Sequence, residues 1–407
     1  MNKVSVLIVG GGASGMFCAI RLARFGISDV AIVERNDRLG RKLSATGNGQ
    51  GNVTNENMSA AHYFSSTGSA AGVLQKFGKE QLLRALGDLG GLFGADKTGR
   101  VYPASRQASS VTDILRFALS EKSINVLTKT KVTDIVSKKD GFTVKTEQGD
   151  LLAECVVLAC GGKASPHFGT DGSGYELTKK FGHTCTPLYP SLVQLKTEQT
   201  YIRGLKGIRS DCKISLHRFG KGEIFSRRGD VLFTDYGVSG DAIFSASAFA
   251  RAGDELKIDF LPSFMRDIVL RILAEKMRKY PKMRAEDLLR CVVNSAVGRN
   301  ILKYCSIPLD APASEISPKL PQLVDALKGF SLKITGSAGF ENAQVTKGGI
   351  PMTELDESLM SKKKEGLFLT GELVDIDGEC GGYNLQWAFS SGAVAAEGIA
   401  KRLGYEI

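Results

Sequence analysis

The stretch that decides the fold is residues 4–15, which read Val4-Ser5-Val6-Leu7-Ile8-Val9-Gly10-Gly11-Gly12-Ala13-Ser14-Gly15. The first six residues form a short apolar run, rich in β-branched side chains, that predicts a buried parallel strand. The glycines that follow have the order G-x-G-x-x-G, and the residues after them have helical spacing. A second strand over residues 30–33 ends in Glu34. The stretch therefore predicts a complete βαβ unit.

The residue types of this unit suit a bound dinucleotide. Gly10 permits the tight turn, Gly12 lets a pyrophosphate approach backbone N–H groups at the helix N-terminus, and Gly15 lets helix and strand pack closely. Glu34 follows the last of these glycines by 19 residues, so its carboxylate can accept hydrogen bonds from ribose hydroxyls.

Downstream, the pattern changes twice. Helices are predicted over residues 81–92 and 110–122, and strands over 126–136, 142–146 and 155–160. Short strands are then predicted over 214–216, 231–233 and 256–260. They are followed by long helices over 265–279 and 285–297. The last segment returns to the Gly-rich style, with a strand that ends at Gly371 and a helix from Asn384 to about Lys401.

This order predicts an α/β protein with two domains. A Rossmann-like nucleotide-binding domain, residues 1–190 and 346–407, is interrupted by an inserted β-barrel-like plus helical domain, residues 191–345. A length of 407 residues, 43% hydrophobic and 24% charged, excludes a single small module, a disordered chain and a fibrous repeat.

The expected cellular location of the protein and the redox state of its cysteines follow from motifs that the sequence lacks. No apolar run approaches the roughly 18 residues that cross a bilayer, and no signal-peptide pattern is present, so we expect a cytoplasmic protein without membrane contact. The eight cysteines show no CxxC pair and no Cys/His metal spacing, so we expect reduced thiols and no metal. Cys155 and Cys160 flank a buried strand and should point to opposite faces.

The formal net charge of +10 is unevenly distributed. Residues 191–345 hold 24 lysines and arginines against 17 acids. The densest basic cluster consists of Lys276, Arg278, Lys279, Lys282 and Arg284. This cluster is interpreted either as a solvated helix face or as a docking surface for a phosphate-rich substrate such as RNA.

Both NAD and FAD use the first βαβ fingerprint, and two features favour FAD. A basic turn follows Glu34, and a separate C-terminal strand leads through Gly371 and Glu372 to a second Gly-rich helix start. A helix N-terminus there can direct N–H groups at the pyrimidine edge of a flavin. No second GxGxxG follows a strand, so NAD(P)H is expected to visit the flavin transiently.

The predicted cofactor-binding residues lie in the glycine loop, the basic turn, the strand ends and the C-terminal turn. They are Gly10, Gly12, Ala13, Ser14, Gly15, Glu34, Arg35, Arg41, Lys42, Gly47, Gly49, Val132, Gly161, Gly371, Glu372, Asp377, Gly382, Tyr383, Asn384 and Leu385.

Two long motifs carry a family resemblance. Residues 40–55 (GRKLSATGNGQGNVTN) and 371–388 (GELVDIDGECGGYNLQWA) resemble the BaiN-type, aminoacetone-oxidase-like FAD flavoproteins, and the match runs essentially end to end. The resemblance implies an FAD domain interrupted by a β-plus-helical domain. It also implies one of several activities: oxidation of aminoacetone, reduction of a steroid-like double bond, or reduction of uridine in ribosomal RNA. Relatives often have Arg-Cys where this chain has Gln50-Gly51.

Three residues are candidates for catalysis. Reduction of an activated C=C bond needs a hydride on one carbon and a proton on the other, and Cys380, beside the flavin turn, could supply that proton or merely fill space. Asn48 and Asn52 could bind flavin or substrate, or cap turns.

Three functions remain open at this stage. The preferred hypothesis is an NAD(P)H-driven FAD reductase of a C=C bond, with uridine in large-subunit ribosomal RNA as the substrate and no stable protein partner. The first alternative is an oxidase of a small amine that produces hydrogen peroxide. The second is a non-catalytic flavin redox sensor or RNA-binding factor.

Overall fold

The computed structural model describes residues 3–407. Its strands are β1 Val4–Val9, β2 Val30–Val33, β3 Thr54–Asn55, β4 Tyr63–Phe64, β5 Phe93–Ala95, β6 Arg100–Pro103, β7 Asn125–Leu127, β8 Val132–Lys138, β9 Gly141–Thr146, β10 Gly149–Leu158, β11 Tyr189–Ser191, β12 Leu195–Thr197, β13 Arg209–Arg218, β14 Gly222–Phe233, β15 Gly237–Ser239, β16 Glu255–Asp259, β17 Phe330–Ser337, β18 Val345–Lys347, β19 Leu367–Leu369 and β20 Asp377–Gly378. Its α-helices are α1 Ala13–Arg24, α2 Ala71–Lys76, α3 Lys79–Asp88, α4 Ala108–Glu121, α5 Ser173–Lys179, α6 Asp241–Ser247, α7 Arg266–Lys279, α8 Ala285–Leu288, α9 Ser295–Tyr304, α10 Leu320–Lys328 and α11 Tyr383–Arg402.

The chain forms two compact units. One comprises the described residues up to Pro190 together with Gln344–Ile407, and the other is Ser191–Ala343. These bounds differ by two residues from the domain limits that the sequence suggests. Within residues 3–407, no helix has both the length and the apolar character needed to cross a membrane.

The first unit is built on a seven-stranded sheet of order β7-β2-β1-β10-β9-β8, with β19 also paired to β10. The central strands β2, β1, β10 and β19 are parallel, and their residues 6–9, 30–33, 155–158 and 367–369 are all buried, which explains the continuous apolar runs there. The carboxyl ends of these strands meet at one edge, so the loops after Val9, Val33, Leu158 and Leu369 come together there. The predicted Rossmann-like fold is confirmed.

The second unit is a closed barrel of strand order β12-β15-β14-β13-β16-β17, with α6 to α10 in the same unit. Alternate barrel residues are buried, as in β13, where Cys212, Ile214 and Leu216 have no exposed surface while their neighbours do. The apolar core of the unit also takes side chains from its helices.

Two predicted elements are each divided in the structure. The strand predicted over 126–136 is β7 and β8, because Lys129 takes a left-handed backbone (φ +52°) between them. The helix predicted over 285–297 is α8 and α9, because Cys291 is left-handed (φ +64°) and the Asn294 side chain caps α9 by accepting from Ala296 N at 2.9 Å. Periodicity alone does not register such breaks.

Candidate functional site

The glycine loop after β1 leaves the start of α1 open. A Cβ on Gly15 would lie 2.0 Å from the Gly10 carbonyl oxygen, so only glycine lets α1 pack on the loop. A Cβ on Gly12, by contrast, would meet no atom within 4 Å. Gly12 caps α1 without a side-chain hydrogen bond, and the first turn, which starts with Ala13 and Ser14, holds no acid. The positive end of this helix therefore faces open space that fits a pyrophosphate.

Glu34 lies beside this loop and is buried. One carboxylate oxygen accepts from Gly11 N at 2.8 Å, and the other accepts from Asn36 N at 2.8 Å. The Glu34 carbonyl accepts from Thr130 N at 2.9 Å, which brings the start of β8 at Val132 to the same edge of the sheet. This placement fits a carboxylate that binds ribose hydroxyls next to the phosphate loop.

The basic turn is occupied by internal partners. Arg35 pairs with Asp171 at 2.7 Å and holds the pKa of that carboxyl well below its usual range. Arg41 donates to Asn36 Oδ1 at 2.8 Å. Arg35 and Arg41, which were predicted as cofactor ligands, thus bind neighbouring protein residues and hold them in position.

An ion pair joins the first βαβ unit to the C-terminal segment. Lys42 Nζ lies 2.7 Å from one oxygen of Glu372, and the other Glu372 oxygen accepts from Thr346 N at 2.7 Å. Gly161 follows β10 in a left-handed conformation (φ +72°), and a Cβ on the next residue, Gly162, would lie 2.4 Å from Thr346 Oγ1. The sequence motifs at 40–42, 161–162 and 371–372 therefore meet in one place.

The C-terminal turn leads into α11, a second helix whose N-cap residue is a glycine and makes no side-chain hydrogen bond. Gly371 is left-handed (φ +65°), and its carbonyl accepts from the Trp387 indole at 2.9 Å. Gly382 caps α11 without a side-chain bond, and the first turn of α11 holds no acid. Asn384 uses its side chain on the preceding loop, since Oδ1 accepts from Gly378 N at 2.8 Å. The backbone N–H groups of Tyr383, Asn384 and Leu385 form the positive end of this 20-residue helix.

Residues 40–55 are bonded to the start of α11 through Thr54 and Asn55. The two candidate asparagines of this segment, Asn48 and Asn52, have different roles. Asn52 is buried and donates to the carbonyls of Thr54 at 2.9 Å and Val101 at 3.0 Å, so it positions backbone. Asn48 is exposed and left-handed (φ +54°), in a turn between Gly47 and Gly49. The amide nitrogen of Asn52 is therefore engaged, whereas Asn48 projects from the turn.

Sequence reasoning missed a pair beside Cys380. His62 Nδ1 lies 3.5 Å from Glu379 Oε2, and its ring stacks on Tyr383 with a centroid distance of 4.6 Å. Both side chains are about one-third exposed (31% and 30%). His62 is one of only four histidines, which was the one available signal, but no local motif links residue 62 to residue 379. The pair places a second candidate acid next to the half-buried Cys380.

Two buried polar groups near the C-terminal turn have no protein hydrogen-bond partner within residues 3–407. They are Thr370 Oγ1, directly after β19, and both carboxylate oxygens of Asp377. Buried polar atoms normally find partners, so unpaired ones at a ligand site point to groups that the ligand supplies. Together with the open N-terminus of α1 and the buried Glu34 carboxylate, they fit an extended FAD, whose phosphates would be held at α1, a ribose at Glu34 and the flavin near the start of α11.

Burial opposes ionisation of two thiols at the end of β10 in the first unit. All eight cysteines, which lie within residues 3–407, are free. Burial raises the pKa of Cys155 to about 11 and that of Cys160 to about 12. Neither thiol is therefore ionised at neutral pH.

The basic cluster of the second unit is only partly available for a ligand. Lys276 Nζ donates to three carbonyls, the shortest being Leu288 O at 2.8 Å, and Arg284 pairs with Glu286 at 2.8 Å and with Asp287 at 3.2 Å. Lys276 is therefore directed at backbone carbonyls in and just after α8, whereas Arg284 remains exposed while it pairs with two acids of α8. Arg278, Lys279 and Lys282 are exposed.

Comparison with known proteins finds relatives that match nearly the whole chain. The model of the HI0933-like protein Rossmann domain family matches residues 4–398. A 3-dehydro-bile acid delta(4,6)-reductase of Clostridium scindens is 36% identical over 99% of this chain and 100% of its own length. A ribosomal RNA dihydrouridine synthase of Escherichia coli is 25% identical over 98% of each chain.

A solved structure shows the same fold. The 3-ketosteroid delta1-dehydrogenase of Sterolibacterium denitrificans, in complex with 1,4-androstadiene-3,17-dione, superposes with a TM-score of 0.51 at 13% identity and covers 99% of this chain and 100% of its own. With the family match over nearly the whole chain, these findings complete the argument from the site. The chain belongs to the HI0933-like Rossmann family and is an FAD-dependent oxidoreductase.

Proposed function

We propose that this enzyme takes electrons from NAD(P)H and reduces a carbon–carbon double bond that is conjugated to a carbonyl group. Two full-length relatives support this reaction type, since a delta(4,6)-reductase and a dihydrouridine synthase both form products in which such a double bond is saturated. The 36% identity to the bile acid reductase makes a steroid-like enone the first candidate substrate.

The structural observation that carries the proposal is the His62–Glu379 pair at the start of α11. Saturation of a conjugated double bond needs a proton on one carbon and a hydride on the other. When bound, FAD supplies the hydride. His62 is held by stacking on Tyr383, and its Nδ1 lies 3.5 Å from Glu379 Oε2, so an imidazole, a group that serves as a general acid, lies beside the helix end where the flavin is proposed to bind.

Cys380 is the alternative proton donor, and two variants separate the candidates. We expect His62→Gln to lower turnover about 100-fold or more, in the range of a lost general acid, while FAD content and flavin reduction by NAD(P)H stay unchanged. Cys380→Ser should change turnover only a few-fold. The measurement is rapid-reaction kinetics of the two half-reactions. A large loss in Cys380→Ser with an intact His62→Gln enzyme would move the proton donor to the thiol.

The reaction itself is tested with the purified, FAD-loaded chain under anaerobic conditions. NADH or NADPH is supplied with a 3-oxo-Δ4,6 bile acid or with unmodified ribosomal RNA, and mass spectrometry follows the gain of two hydrogen atoms. Either reduced product supports the proposal, and it identifies the substrate. Hydrogen peroxide from aminoacetone in air, without either reduced product, would favour an amine oxidase. A flavin that neither donor reduces would favour a redox sensor.

Uridine in large-subunit ribosomal RNA is the second candidate substrate, and the charge of the inserted unit favours it. Residues 191–345 carry seven more basic than acidic residues, and three exposed cations lie close together: Arg278, Lys279 and Lys282. Because phosphate contacts release counterions, an RNA-binding surface predicts a strong dependence of affinity on salt.

Charge reversal of these three residues to glutamate tests the RNA hypothesis. We expect RNA affinity to fall on the order of 10-fold or more and the slope of log affinity against log salt to flatten by about 2 to 3, since each phosphate contact contributes about 0.7 to 0.9. The matched control reverses three exposed lysines elsewhere in the same unit: Lys213, Lys221 and Lys303. Equal losses in both triple variants would show that only net charge matters. Turnover of a bile acid should be unaffected in either variant.

A further inference from the structure

Asp377 is a buried carboxylate that the protein leaves without hydrogen bonds. The residue is 1% exposed, and neither carboxylate oxygen has a partner among residues 3–407. Asp375, two residues earlier, is also buried, but its Oδ2 accepts from Ser66 Oγ at 2.7 Å and Thr67 Oγ1 at 2.9 Å. Because an ionised carboxylate that is buried without partners opposes folding, Asp377 is not explained by folding alone.

The backbone fixes Asp377 beside the proposed flavin site. In β20, Asp377 pairs with Phe64 of β4, and the adjacent Gly378 N donates to Asn384 Oδ1 at 2.8 Å in the first turn of α11. Lys347 of β18 places its ammonium 5.5 Å from the centre of the Phe64 ring, the ring of Asp377's strand partner. Asp377 therefore lies near the Lys347 cation and near the start of α11.

The charged and titratable neighbours leave Asp377 close to equal populations of its two protonation states. Burial raises its pKa, Lys347 lowers it, and Asp375 and Glu372 raise it further, so that the value is about 7. On the elements packed against β20, the other titratable groups near it are the buried phenols Tyr63 of β4 and Tyr383 of α11, while Glu397, Lys401 and Arg402 lie in the last turns of α11. His62 directly precedes β4, and Glu379 directly follows β20. A small change in nearby charge can thus move a proton onto or off this carboxylate.

We infer that Asp377 binds a proton from solvent when the flavin is reduced, so that proton uptake at this carboxylate is coupled to the redox state of the cofactor. Hydride transfer from a dihydronicotinamide adds two electrons and one proton to FAD and leaves it with one more negative charge. The Asp377 carboxylate then takes one proton from solvent and becomes the neutral acid, which balances that charge. No bond to carbon forms or breaks at this residue.

The inference concerns the flavin and not the substrate, so it can fail while the proposed reduction stands. It is tested on the FAD-loaded full chain by measuring the flavin midpoint potential from pH 6 to 9 in wild type and Asp377→Asn. Each coupled proton changes the potential by about 30 mV per pH unit, the equivalent of a tenfold change for a two-electron couple. Above pH 7, we expect the midpoint potential of the variant to change by about 30 mV less per pH unit than that of wild type. The exposed residue Asp113 supplies the control, Asp113→Asn, which should match wild type.

A second variant covers the case in which Asp377→Asn does not retain FAD. Lys347→Met removes the cation that favours the ionised carboxylate, so the pH range of proton uptake should shift upward. Indicator dye in weak buffer, during anaerobic reduction by NADH, measures the protons taken up per FAD. Identical pH profiles for wild type and Lys347→Met, or an Asp377→Asn slope equal to that of wild type, would overturn the inference.

Discussion

Gly12→Asp should yield a folded protein that no longer binds FAD. A Cβ at this position would meet no atom within 4 Å, so the fold leaves room for a side chain to begin there. Aspartate is a better N-cap than glycine and adds a negative charge at the positive end of α1, which should stabilise the FAD-free protein by several tenths of a kcal/mol. The same charge would face the pyrophosphate, and repulsion of about 4 kcal/mol at close range predicts a loss of affinity on the order of 1,000-fold.

Opposite effects on stability and binding make this prediction specific. Urea unfolding of the FAD-free protein and fluorescence titration with FAD measure the two quantities. The control is Gly72→Asp, another exposed glycine with open space around it, in the first turn of α2. The control should bind FAD like wild type. If Gly12→Asp bound FAD with unchanged affinity, the pyrophosphate would not lie at the start of α1.

Trp387→Ala should destabilise the first unit by about 3 to 5 kcal/mol, the usual cost of emptying a large buried aromatic site. Trp387 is 2% exposed, and its indole N–H binds the carbonyl of Gly371, the turn that leads to Glu372. The substitution therefore removes core packing and frees the turn. We expect thermal release of FAD, followed by flavin fluorescence, to occur at a clearly lower temperature.

Trp387→Phe separates the two contributions. It keeps most of the buried ring but leaves the Gly371 carbonyl without its donor, at a cost of about 1 to 3 kcal/mol. FAD affinity should fall in both variants, whereas Phe117→Ala, which removes a ring that is 68% exposed in α4, should change neither property. An unchanged FAD affinity in Trp387→Phe would show that the Gly371 turn does not need the indole.

The fold was largely predictable because its strongest signals are local. Residues 4–34 carry strand, glycines, helix, strand and acid in one continuous stretch, and the observed β1 agrees residue for residue with the prediction. The breaks at Lys129 and Cys291 were missed because a left-handed residue that is not glycine has no sequence signature. For this reason, the division of residues 285–297 into α8 and α9 was not predicted.

The candidate site was less predictable because its contacts are long-range. Lys42 and Glu372 each fit a cofactor ligand by type, but only the fold shows that they pair with each other. His62 lies far in sequence from Glu379 and Tyr383, and nothing local marks it. Lys276 looked like part of a basic surface, yet its ammonium is turned toward the carbonyls at the end of α8. Charge and residue type predict what a side chain could bind, whereas the tertiary contacts determine what it does bind.

The most direct test of the account is a single-turnover measurement of flavin reoxidation. The FAD-loaded enzyme is reduced anaerobically with one equivalent of NADPH or NADH and mixed with a 3-oxo-Δ4,6 bile acid, with unmodified ribosomal RNA or with buffer, while flavin absorbance is followed. We expect rapid reoxidation by one of the two unsaturated substrates, with one reduced double bond formed per FAD. Reoxidation that is no faster with either substrate than with buffer, with neither substrate altered, would contradict the proposed reduction.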